Sequence, residues 1–168
     1  MDRDSIFSVV DVETTGLSAE RDRVTEVAIV HVQADKILRT YATLVNPGRP
    51  IPAFIQQMTG ITDAMVAGAP TFAEVAQIIS TNLAGTVFVA HNVRFDHGFL
   101  KAEFARANHA FPPLPLVDTV ALARQGFRGL PNYRLETLCE HLGLVAGRHR
   151  ALGDATVAAH LLIKLLGA

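Results

Sequence analysis

A single cysteine, Cys139, excludes an intramolecular disulfide and suits a reducing cytoplasm, the expected location. Long apolar runs are also missing: stretches such as AAHLLIKLL fall far short of the roughly 20 residues a membrane span needs. The opening MDRDSIFSVV has no basic segment followed by an apolar one, so no signal peptide is expected. Charge of one sign is lacking as well. The formal net charge of −1 argues against holding nucleic acid by global electrostatics, but leaves room for an enzyme that grips a short strand locally. What the chain does have is core: 49% hydrophobic and 18% charged residues argue against disorder. Its 168 residues suit one compact α/β domain, expected to span 1–168.

No repeat or linker divides the chain. Residues 5–13 read as a central strand and TTGLSAERDR as the loop after it. VTEVAIVHVQ and KILRTYATLV alternate as two strands of an antiparallel hairpin joined through ADK. NPGRPIPAF is proline-rich and reads as loop. Thr71 and Glu74 form a potential capping box ahead of VAQIISTNL. TVFVAHN reads as a buried strand, followed by a helix to about Asn108. LPLV gives a short strand, Asp118 a cap for TVALARQ, and YRLETLCEHLG and DATVAAHLLIKLL the last two helices. Three early strands, then strands alternating with helices, imply an α/β fold: a mixed sheet with helices on its faces.

Four acids and one histidine stand out. In VVDVETTGL, Asp11 and Glu13 are two apart on a strand, so both carboxylates share one face while Val10 and Val12 take the other. Buried acids cost several kcal/mol each unless paired or metal-bound, and no Lys or Arg lies in that stretch. The bland reading is a solvated strand end. Asp96 enters the first turn of a helix after a buried strand, where an acid ordinarily serves the helix dipole. Asp154 shares a helix face with Ala151, Ala158, Leu161 and Leu165, an apolar surface on which solvation is a poor excuse for an acid. His149 could join Asp154 only from the preceding loop, because five residues on one helix would separate them by about 140°. Gly147 in VAGRHR permits that loop. Arg124, Arg128, Arg134, Arg148 and Arg150 are set against only two acids in 121–150, and would contact phosphates if they share a face.

Together VVDVETTGL, VAHNVRFDHGFL and HRALGDA resemble the DEDDh 3′→5′ exonucleases, the family of the proofreading ε subunits of bacterial DNA polymerase III. The resemblance implies a ribonuclease H-like fold, with a five-stranded mixed sheet whose second strand is antiparallel. It implies that Asp11, Glu13, Asp96 and Asp154 hold metal and that His149 is the general base. Hard oxygen ligands without a cysteine cluster suit two Mg²⁺ or Mn²⁺ ions. Substrate contacts would come from Thr14, Thr15 and Gly16, from Leu17 and Met58 stacking on the last base, and from Thr59, His91, Asn92 and Phe95. Thr59 stands in MTGIT where the family usually has histidine. LPNYRLETLCEHLGL also resembles exonuclease domains fused to another nuclease module. The implied substrate is a single-stranded or frayed 3′ end of DNA, with polymerase III as a possible partner. RNA trimming and an inert binding module are the competing readings.

Overall fold

The computed structural model describes residues 5–145 and 147–167. The expected domain of 1–168 also takes in residues 1–4, 146 and 168, which lie outside the described residues. Strands β1 (Ile6–Thr14), β2 (Val24–Gln33) and β3 (Lys36–Leu44) are followed by helices α1 (Ala53–Thr59), α2 (Asp63–Ala67) and α3 (Phe72–Leu83). Next come β4 (Val87–Ala90), α4 (Val93–Arg106), β5 (Leu116–Asp118), α5 (Thr119–Gly126), α6 (Leu135–Leu142) and α7 (Ala151–Gly167). The sheet order is β3-β2-β1-β4-β5. β2 runs antiparallel to both neighbours, while β1, β4 and β5 are mutually parallel. This is the ribonuclease H-like arrangement expected.

The period-two pattern of β1 sorts its side chains between two cores. Val10 and Val12 pack with Val27, Ile29, Phe72, Ile79, Phe99 and Phe104 under α3 and α4. Phe7 and Val9 pack with Ala28, Val30, Ala151, Ala155, Ala158 and Leu162 under α7. The alanines let α7 lie close to the sheet, which carries its N-terminal turn over the end of β1. Leu161 and Leu165, on another stripe of α7, hold α5 and α6 through Ala123 and Leu138. β3 is the exposed edge, and Lys36 and Arg39 there discourage pairing with another chain.

The capping box is present: the Thr71 hydroxyl accepts from Glu74 N–H, and Glu74 accepts from Thr71 N–H. Asp118 caps α5 through Val120 N–H. Other boundaries shift. Ala53 and Phe54 belong to α1 rather than to a loop, and neither α1 nor α2 was expected. Each is held by a satellite core of Ile51, Ile55, Ile61 and Val66, and Gly60 ends α1 with φ 73°. β4 stops at Ala90, leaving His91 and Asn92 outside the strand, and α4 ends at Arg106, short of Asn108. β3 begins at Lys36, as expected, and α6 starts only at Leu135. α7 starts at Ala151, so Asp154 sits in its first turn.

Candidate active site

β1 pairs with β4 only through Phe7, Ser8 and Val9, because β4 ends as β1 continues. The edge of β1 from Val10 onward therefore needs other partners. Asp96 supplies one: its Oδ1 accepts from Val12 N–H at 3.0 Å. On the opposite face Asp11 and Glu13 project toward the first turn of α7. One carboxylate oxygen each of Asp11, Glu13 and Asp154 lies within 4.8 Å of the others. All three are half-buried. Asp96 is buried and falls outside that trio, although it is the strongest of the charges acting on Asp11.

The electrostatics are those of crowded, desolvated carboxylates. Burial, then Asp96, Glu13, Asp154 and Glu26, raises Asp11 well above the usual carboxylate range. Glu13 is raised to about 8 by burial and then by Asp154, Glu26 and Asp96, with Arg150 pulling the other way. Burial also raises Asp96, opposed by the Val12 N–H. Asp154 is raised chiefly by burial and lowered by His149. His149 sits in the loop before α7, exposed, with φ 52°. The expected loop placement near Asp154 is therefore observed. Gly147 has a further use: a β-carbon there would collide with the Asp154 carboxylate.

The expected substrate residues divide. Leu17, 88% exposed, and Met58, 52% exposed, present free apolar surface. Phe54, four residues before Met58 on α1, is likewise exposed, at 68%. Its only sequence signal was the i, i+4 spacing, hidden by reading the segment as loop. The Arg49 guanidinium donates to the Arg21 carbonyl and pairs with Asp22, tying the approach to α1 to the loop after β1. Thr14 donates to the Gly16 carbonyl, and the Thr15 hydroxyl accepts from Arg23 N–H. Gly16 is needed because a β-carbon would strike the Asp22 carboxylate, which is a structural reason distinct from the close nucleotide approach expected.

Thr59 and His91 spend their polar side-chain atoms on partners within the fold. Thr59 is buried, donates to the Ile55 carbonyl and accepts from Ile61 N–H. Both His91 ring nitrogens are engaged, by the Thr119 hydroxyl and the Tyr133 carbonyl, and burial lowers its pKa. Phe95 is half-buried and packs on Phe99 at 4.8 Å. Asn92 starts α4 at φ 74° and, with His91, Arg124, Asn132, Tyr133 and Arg134, lines a cleft of about 300 Å³. Because β1, β4 and β5 are parallel, this cleft opens at the same sheet edge as the acids. The five arginines do not share one face. Arg124 lies over the Tyr133 ring, Arg150 is bound to Glu26, and Arg128 and Arg148 are not among the cleft's lining residues.

A ribonuclease H-like sheet with clustered carboxylates at the carboxyl end of its first strand defines a class of phosphodiester-cleaving enzymes. The comparisons narrow it. The profile of the exonuclease family matches residues 8–162, and the chain belongs to that family. It is 40% identical over 162 residues to the 3′-5′ exonuclease DinG of Bacillus subtilis, covering 95% of this chain and 17% of that protein. It is 41% identical over 161 residues to the PolC-type DNA polymerase III of Oceanobacillus iheyensis, covering 95% of this chain and 11% of that protein. The chain thus spans less than a fifth of the length of these relatives. Exonuclease X, solved in complex with 5′-overhanging duplex DNA, superposes with a TM-score of 0.76 and 30% identity, covering 96% of this chain and 91% of that one. Exonuclease I superposes with a TM-score of 0.83 at 21% identity, covering 97% and 42%, a likeness of fold.

Proposed function

We propose that this protein removes nucleoside 5′-monophosphates one at a time from the 3′ end of DNA, in proofreading or repair, using two divalent ions. The observation that carries this reading is the trio Asp11, Glu13 and Asp154, three carboxylates drawn within 4.8 Å of one another. Hard carboxylate oxygens whose ionised forms repel one another fit Mg²⁺ or Mn²⁺, and Asp96 completes the set through Asp11. Asp11, Glu13, Asp96 and Asp154 would hold such ions, which would supply charge neutralisation for phosphodiester hydrolysis. His149, exposed in the loop before α7, takes the proton from the attacking water. Leu17, Met58 and Phe54 offer apolar surface to the terminal bases, and the Arg124–Arg134 cleft accepts the phosphates behind them. The PolC-type and DinG relatives favour a DNA substrate and a role beside a polymerase or in repair.

The decisive experiment uses 5′-end-labelled DNA and RNA of matched sequence with Mg²⁺, Mn²⁺ or a chelator. A metal-dependent ladder shortening from the 3′ end of DNA is expected. Cuts in a circular single strand would overturn the exonuclease assignment, and faster trimming of RNA would overturn the DNA assignment.

A further inference from the structure

Glu26 stands directly opposite Glu13 across the β1–β2 ladder, and so projects from the same face toward the start of α7. It is 5% exposed and lies outside the carboxylate trio. Its oxygens are fully engaged. Oε1 accepts from Ala151 N–H at 2.6 Å and from Arg150 Nε at 3.2 Å, while Oε2 accepts from Arg150 Nε at 3.0 Å and Nη2 at 2.6 Å. One carboxylate from β2 thus holds both the first N–H of α7, which the helix itself leaves unsatisfied, and the guanidinium of the residue next to His149.

His149 needs such an anchor. Its backbone is left-handed at φ 52°, and its ring makes no hydrogen bond among the described residues. A general base must stay within hydrogen-bond reach of the proton it takes, and small displacements are costly. We propose that Glu26 and Arg150 form a positioning pair that holds His149 at the reacting water, a role that rests on the exonuclease reading above. Neither residue touches the reacting atoms. They act by fixing the turn between Gly147 and Ala151, so that His149 approaches the site from the same side as Asp154.

The test is a double-mutant cycle. Glu26→Gln keeps the shape but weakens the forked ion pair, and Arg150→Lys keeps the charge but loses the fork. Each should lower kcat by about 10–100-fold, with KM changed less than about twofold and Mn²⁺ binding retained by calorimetry. In a His149→Ala background either change should add less than about twofold, because its effect passes through the histidine. A full 10–100-fold loss repeated in that background, or an unchanged kcat in the parent background, overturns the proposal. Should Glu26→Gln fail to fold by circular dichroism, Arg150→Lys carries the same cycle. Full activity in His149→Ala alone would instead overturn the general-base reading, whatever Glu26 does.

Discussion

His149 and Asp154 are the two residues whose substitution separates chemistry from structure. His149 is exposed, so His149→Ala should leave the fold intact. Activity should fall by about 10²–10⁴-fold with little change in substrate affinity. Asp154 is different because it is a like charge crowded among others. Burial raises its carboxyl first, with Glu136 and Glu26 adding to that and His149 opposing it. Asp154→Asn removes a repelling charge without changing shape, so the metal-free variant should melt at or above the parent temperature. The same variant should lose both nuclease activity and the rise in Tm on adding Mn²⁺. A metal-free variant melting well below the parent, and shifted equally by Mn²⁺, would make Asp154 a structural acid.

Two short elements carry predictions that point in opposite directions. The capping box at the start of α3 lies away from the site, so Thr71→Ala should cost about 0.5–2 kcal/mol of stability. In a chain of this size that lowers Tm by about 2–4 °C for each kcal/mol, with kcat unchanged. The loop before α7 behaves the other way. Gly147 abuts Asp154, and the β-carbon of an alanine there would push on the Asp154 carboxylate. Gly147→Ala should therefore weaken Mn²⁺ binding by calorimetry and cut activity by about 10²-fold, as a displacement near 1 Å at a catalytic group does. Retained Mn²⁺ affinity would show that the loop yields instead.

The metal-free molecule as a whole should lose stability as the solution becomes basic. Glu13 is raised from an ordinary value of 4.5 to about 8, burial being the main cause. A carboxyl raised on folding stabilises the fold below its ordinary value, and that contribution disappears as pH rises through about 8. Asp11, Asp96 and Asp154 shift in the same direction. His31 and His91, lowered mainly by burial, act in the opposite sense only as they protonate near and below pH 6.5. The clean window is therefore roughly pH 7 to 8, above the histidines and below the end of the Glu13 titration. There the metal-free Tm should fall, Mn²⁺ should flatten the slope, and Glu13→Gln should reduce it. A metal-free Tm independent of pH across that window would mean the acids are already compensated.

Much of this was legible along the chain. Strand period alone put Asp11 and Glu13 on one face and Val10 and Val12 on the other, and the Thr71–Glu74 spacing marked a helix start, because both patterns arise from neighbours in sequence. The motifs VVDVETTGL, VAHNVRFDHGFL and HRALGDA together resemble the family whose profile the chain matches. Tertiary structure decided the rest. Nothing near Thr59 or His91 announces that their polar atoms are consumed by Ile55, Ile61, Thr119 and Tyr133. The short helices α1 and α2 are too brief for periodicity to reveal, and depend on the satellite core of Ile51, Ile55, Ile61 and Val66. Asp96 finds Val12 across 84 positions, and Glu26 finds Arg150 across 124. Such pairings are set by where β4 ends and where α7 lands on the sheet, and a local reading of residue types contains neither distance.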